Sequence, residues 1–254
     1  MKRRRIRLRR GAYLLPSALT IGSAFCGFWS VIGVLDGRYE RSAWLILASF
    51  LLDGLDGRVA RLTRTTSRFG EEFDSLADII AFGMAPALLA YAWGLQSWDR
   101  IGWLCCFLFM ITGGARLARF NIQAASQDKR YFVGLPIPAA AGVIAGLVLF
   151  LDGQPIVDRF TALPVLILVL VTGFLMISKV RYRSFKDLNL KRRYPFWWVL
   201  LPALLLFLVF SHPQLSLLTV ALTYAASGPL GKAISWVRQR HRLRRQRRAI
   251  ESQS

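Results

Sequence analysis

Four aspartates, Asp53, Asp56, Asp74 and Asp78, fall within a 26-residue stretch of a 254-residue chain that has only 14 acidic residues in all. Their spacings of three and four put each pair on one face of a helix. The short basic segment between them, residues 58–68, makes the two helices antiparallel. Two helices can therefore aim four carboxylates into one space. Carboxylates packed so closely repel, or raise one another's proton affinity. Divalent cations are the natural remedy, and an all-oxygen donor set selects hard ions such as Mg²⁺ or Mn²⁺. Two ions balance four charges. Other metal chemistries lack ligands: three cysteines (Cys26, Cys105, Cys106) and two histidines (His212, His241) provide neither a disulfide framework nor zinc spacing.

Gly57, Ala60, Arg61 and Gly70 add to this pattern. Glycine or alanine on the carboxylate face leaves the backbone uncovered, so a bulky anion can come close to the metal-binding helix. Arg61 contributes a fixed positive charge. The set suits a diphosphate clamped at the attacked phosphorus and its leaving oxygen. A plainer account has Asp53 and Asp56 ending a helix, Gly57 capping it, and Asp74 starting the next one. That account covers one or two aspartates, but not all four together with the small residues and the arginine.

The elements that must hold these residues are membrane helices. Apolar residues make up 54% of the chain and mean hydropathy is +0.40, while charged residues are 19% and the net charge is +20. This is no soluble globule and no disordered chain. Apolar runs near 13–35, 42–60, 74–95, 101–118, 134–151, 161–178, 195–211 and 214–231 have the length of membrane-spanning helices. The expected fold class is thus all-α, a polytopic bundle of about eight transmembrane helices. With both termini cytoplasmic, the presumed inner segments hold 30 of the 34 Lys and Arg, and the outer loops hold only Arg38, Arg41, Arg100 and Arg159. Six or seven spans would spoil that partition.

The same bias accounts for the arginine-rich tail without nucleic acid, because basic segments beside membrane helices fix topology and adhere to anionic lipid heads. The expected organisation is a basic cytoplasmic segment over residues 1–12, a transmembrane domain over 13–231 and a basic cytoplasmic tail over 232–254. The first apolar run is too long for a signal peptide and no small-x-small site closes it, so it reads as a retained helix. No internal repeat is visible. Gly142-x-x-x-Gly146 reads as a helix-packing face. Trp44, Trp93, Trp98, Trp103, Trp197 and Trp198 read as interfacial anchors. Pro136 and Pro138 are expected to bend the start of their helix, and Glu71 and Glu72 to face solvent or pair with Arg68.

Read in full, Asp53-x-x-Asp56-Gly57-x-x-Ala60-Arg61, eight residues, then Gly70-x-x-x-Asp74-x-x-x-Asp78 resembles the complete signature of the CDP-alcohol phosphatidyltransferase family. Four further segments resemble its membrane-spanning serine-using branch, the CDP-diacylglycerol–serine O-phosphatidyltransferases. They are residues 74–87, 114–121 (Gly-Ala-Arg-Leu-Ala-Arg-Phe-Asn), 134–138 (Gly-Leu-Pro-Ile-Pro) and 181–186 (Arg-Tyr-Arg-Ser-Phe-Lys). The likeness covers about residues 13–190. It departs at Pro16-Ser17, where relatives usually read Pro-Asn, and at Ser23, which stands in place of a second asparagine.

The resemblance implies that CDP-diacylglycerol and L-serine give phosphatidylserine and CMP. It implies that Asp53, Asp56 and Asp74 hold the metals, that Asp78 completes the second metal's shell and is the general base, and that Gly57, Ala60, Arg61 and Gly70 line the CDP site. It also implies a homodimer, and compact size suits a bacterial plasma membrane with the site at its cytoplasmic face. The carboxylate of serine calls for a guanidinium. Candidates are Arg116 and Arg119, with Asn121 adding a polar contact, and Arg181, Arg183 and Lys186. The alternatives are another acceptor, such as glycerol 3-phosphate, and a cation transporter. A transporter would need polar residues along a path through the bilayer, whereas here the ionisable residues within the spans crowd the cytoplasmic third.

Overall fold

The computed structural model describes residues 2–63, 67–123, 131–183 and 212–251. Helix dominates. α1 (Lys2–Leu35) and α2 (Tyr39–Thr63) form a hairpin whose turn is a Schellman motif. Gly37, at φ +70, donates its N–H to the Val34 carbonyl at 3.1 Å, and Arg38 donates to Gly33 at 2.8 Å. The hairpin is held by small polar residues in antiparallel register. Ser30 and Ser42 each donate a hydroxyl to the other's carbonyl at 2.9 Å. Ser23 and Ser49 exchange similar bonds, and their hydroxyl oxygens lie 2.8 Å apart. All four serines are buried. Hydroxyls satisfied across two helices let the backbones approach closely where there is no water to compete.

α3 (Arg68–Asp78) is capped by Ser67, which accepts the Gly70 N–H at 3.1 Å. The chain then widens into a π turn (Ile79–Met84), tightens into α4 (Ala85–Ala90), widens again (Tyr91–Leu95) and ends in a 3-10 turn (Gln96–Trp98). Pro86 supplies the reason for the first wide turn, since it has no N–H for a carbonyl one turn back. Asp99, at φ +45, reverses the direction into α5 (Asp99–Gln123). Arg159 fastens this reversal, donating to the Ser97 carbonyl at 3.0 Å and pairing with Asp99 at 3.3 Å.

β1 (Tyr131–Val133) and β2 (Arg181–Arg183) form an antiparallel ribbon in which Phe132 opposes Tyr182. Between them lie α6 (Ile137–Phe150) and α7 (Arg159–Ile177), and α8 (Pro213–Glu251) ends the described chain. Pro136 precedes α6 and Pro138 sits in its first turn. There a missing N–H costs nothing, so the prolines start the helix instead of bending it. α6 is about 21 Å long at the usual rise, shorter than the span expected over 134–151, because the chain bends at Gly134 (φ +84) and enters the helix only at Ile137. Gly146 lies against the backbone of Leu218, and Gly142 faces Ala221 across the α6–α8 contact, as expected of a packing face.

Seven of the eight expected apolar stretches fall on these helices; residues 195–211 lie outside the described residues. Among the described residues, three helical stretches are long and apolar enough to cross a membrane: Pro16–Leu35, Arg68–Ile122, which folds back at Asp99, and Arg159–Ile177. The core gathers around α4 and its flanking π turns, with Phe82, Leu89, Trp93, Phe109, Ile137 and Met176 fully buried. Large apolar side chains also point outward, among them Phe25, Phe28, Phe107 and Ile111. Such a surface fits hydrocarbon and not water. Trp93 departs from its expected interfacial place. It is 1% exposed, because the second wide turn lies inside the bundle, whereas Trp44 and Trp103 are exposed as anchors should be. Trp197 and Trp198 lie outside the described residues.

Candidate active site

α2 and α3 do bring the carboxylates together. One oxygen from each of Asp53, Asp56 and Asp74 lies within 4.8 Å of the others. The Asp78 carboxyl lies beside that of Asp53 and completes the cluster. α2 continues to Thr63, well past Asp56, and α3 begins at Arg68, before Asp74. The plainer account therefore fails: Asp53 and Asp56 do not end α2, Asp74 does not start α3, Gly57 is no cap, and Arg58 and Arg61 are helical.

Asp56 is 5% exposed, and its Oδ2 accepts the Thr20 hydroxyl at 2.7 Å. Thr20, itself buried, reaches in from α1 and fixes the orientation of this carboxylate, as outer partners of metal ligands do. Asp74 Oδ1 is buried with no hydrogen-bond partner among the described residues. At a separation of 4.8 Å, two full charges cost roughly 3.5 kcal/mol at an effective dielectric of about 20. An orphaned carboxylate oxygen among three other carboxyl groups is what a divalent ion would satisfy, and the all-oxygen donor set fits a hard one. Asp53, Asp56, Asp74 and Asp78 can hold it.

Among the described residues, the atom nearest the missing side chain of Gly57 is the Arg61 Nη2 one turn on, 4.0 Å away. Among the described residues, Gly70 meets only its capping serine. Arg61 is exposed, so its guanidinium is available to an anion lying along Gly57 and Ala60.

The expected acceptor residues separate. Arg116, on α5, is 7% exposed, lies within electrostatic reach of Asp78, packs 5.7 Å from the Phe120 ring and has a buried Nε without a partner. Arg119 instead donates to the Ile177 carbonyl at 2.9 Å, capping the end of α7. Asn121 donates to Ser75 Oγ at 3.0 Å. Arg181 and Arg183 lie on β2, and Lys186 lies outside the described residues. Glu71 and Glu72 are exposed. Two residues near the site were not anticipated. Thr20 had one available signal, a hydroxyl within an apolar run. Tyr224 of α8, within reach of Arg116, had none.

Comparison with known proteins agrees with this geometry. The sequence profile of the CDP-alcohol phosphatidyltransferases matches residues 13–180. A CDP-diacylglycerol–serine O-phosphatidyltransferase of Helicobacter pylori is 46% identical over 181 residues, covering 70% of this chain and 76% of the relative. Proteins of the same name from Mycobacterium leprae and Bacillus subtilis are 35% and 34% identical, over 85% and 68% of this chain and 73% and 91% of theirs. With the profile spanning most of the described helices and the full aspartate signature converging in space, this chain belongs to the CDP-alcohol phosphatidyltransferase family.

Proposed function

We propose that this protein transfers the phosphatidyl group of CDP-diacylglycerol to the hydroxyl of L-serine and releases CMP. The observation that carries the reading is the convergence of the Asp53, Asp56 and Asp74 carboxylates, with Asp78 beside them and one buried Asp74 oxygen that has no partner among the described residues. The names of the relatives support serine as the acceptor. In this reading Asp53, Asp56 and Asp74, with Asp78, hold two ions, Mg²⁺ or Mn²⁺, in a family that is generally divalent-metal dependent. When bound, the ions neutralise the diphosphate and stabilise the charge that develops on the leaving oxygen.

The remaining work falls to the chain. Gly57, Ala60 and Gly70 admit the diphosphate close to α2 and α3, and Arg61 pairs with it. Asp78 takes the proton of the serine hydroxyl as that oxygen bonds to phosphorus. The bond from phosphorus to the CMP oxygen breaks, and CMP leaves with the electron pair. Serine is a poor nucleophile at neutral pH, so this proton transfer contributes directly to the rate. Arg116 binds the serine carboxylate, which also gives its unpartnered Nε an acceptor.

The distribution of basic residues supports a site at the cytoplasmic face of a bacterial plasma membrane, crossed about eight times, with both termini inside. In that arrangement residues 1–12 and 232–254 lie against anionic lipid on either side of a catalytic domain over 13–231, and two copies associate as a homodimer. Purified protein in mixed lipid and detergent is expected to release CMP from CDP-diacylglycerol only when serine and Mg²⁺ or Mn²⁺ are both present, and to make a serine-headgroup lipid. Equal release with glycerol 3-phosphate would assign a different acceptor.

A further inference from the structure

α2 and α3 each carry two aspartates of the cluster, but they are held in the bundle to different degrees. α2 is joined to α1 by the Ser30–Ser42 and Ser23–Ser49 pairs, and its Asp56 accepts the Thr20 hydroxyl at 2.7 Å. α3 has 11 residues, of which Ala77 alone is fully buried, while Phe69, Glu71, Glu72 and Leu76 are exposed. With so little of it buried, packing alone fixes the roll of this helix weakly. Yet that roll decides where Asp74 and Asp78 aim. A bond from α5 supplies what packing does not. Asn121 Nδ2 donates to Ser75 Oγ at 3.0 Å, and Ser75 Oγ gives its own proton to the Glu71 carbonyl at 3.1 Å. The hydroxyl oxygen is then left as an acceptor, which the amide meets with its N–H₂. Ser75 directly follows Asp74 and lies three residues before Asp78.

Resting on the metal reading above, we propose that Asn121 is a positioning residue of the metal site: through Ser75 it holds α3 in the orientation that turns Asp74 and Asp78 toward α2. Its amide is thereby engaged with α3 and not with the acceptor alcohol. A carboxylate that is not already aimed must be reoriented when an ion binds, and that cost appears as lost affinity. Groups that orient metal ligands from outside typically carry about ten- to a hundredfold in affinity. Asn121 acts one residue removed from Asp74, through a bond that is itself exposed, so its effect falls at or just below the lower end of that range.

The test is equilibrium Mn²⁺ binding to the full-length protein, followed by the paramagnetic signal of the free ion, for Asn121→Ala, Ser75→Ala and the double variant. Each single substitution is expected to weaken Mn²⁺ binding about five- to tenfold. The double variant should lose no more than either alone, because both changes remove one and the same bond. Ser75→Thr keeps a hydroxyl at that position and should keep the wild-type affinity. The KM for serine, measured with Mn²⁺ saturating, should stay within about twofold of wild type in Asn121→Ala. Wild-type Mn²⁺ affinity in Asn121→Ala, losses that multiply in the double variant, or a Ser75→Thr protein as weak as Ser75→Ala would overturn the assignment. A raised KM for serine at unchanged metal affinity would overturn it too, and would return Asn121 to the acceptor site. Wild-type protein that binds no more Mn²⁺ than a variant with all four aspartates replaced by Asn would instead overturn the metal reading itself, so the two failures are distinguishable.

Discussion

Asp78→Asn is expected to lower turnover by about a thousandfold or more while leaving the affinity for CDP-diacylglycerol within a few-fold of wild type. Loss of a positioned general base alone costs on the order of 10²–10⁴ in rate. Here the same substitution also weakens one ligand of the carboxylate cluster, which deepens the loss. Asparagine matches aspartate in shape and can keep its place beside Asp53. The fold and the diphosphate approach along Gly57 and Gly70 should therefore survive. Single-turnover CMP release, measured beside equilibrium binding of the lipid nucleotide, separates the two effects. Wild-type turnover in the variant would remove Asp78 from its role.

Arg116→Ala should raise the apparent KM for serine on the order of a hundredfold, with little change in the requirement for the lipid. Truncating one member of a buried, charge-assisted pair typically costs 2–5 kcal/mol, which is roughly 30- to 4,000-fold. Arg116 is 7% exposed and has a buried Nε without a partner, so its site is dry enough for a figure within that range. Arg116→Lys should recover only part of the loss, because a lysine cannot reproduce a two-point contact with a carboxylate. Steady-state kinetics with each substrate varied in turn provides the check. A serine dependence equal to wild type would discard Arg116 as the carboxylate ligand.

The aspartate cluster was legible because helix periodicity encodes which residues share a face. Spacings of three and four between Asp53 and Asp56 and between Asp74 and Asp78 sufficed, and the short connection made the two helices neighbours. The same periodicity says nothing about partners from elsewhere in the chain. Thr20 comes from 36 residues before Asp56, and Tyr224 from the far end of the chain. Spacing also failed to separate Arg116 from Arg119. Three residues apart on α5, they still diverge by part of a turn, and their long side chains reach different neighbours: one lies near Asp78, the other caps α7. Burial of Trp93 was hidden for a related reason, since an indole near the end of an apolar run reads as an anchor until the fold shows that run turning inside the bundle. The β1–β2 ribbon, three residues per strand, carries too little pattern to be read in advance.

The central claim is that the four aspartates form a divalent-metal site serving a diphosphate. It is tested most directly by counting Mn²⁺ bound to the purified protein at equilibrium, without any reliance on turnover. Two ions per chain are expected for wild type, competed by Mg²⁺ and reduced in Asp74→Asn, which removes the carboxylate whose Oδ1 has no other partner. Binding no greater than that of a variant with Asp53, Asp56, Asp74 and Asp78 all replaced by Asn would contradict the claim.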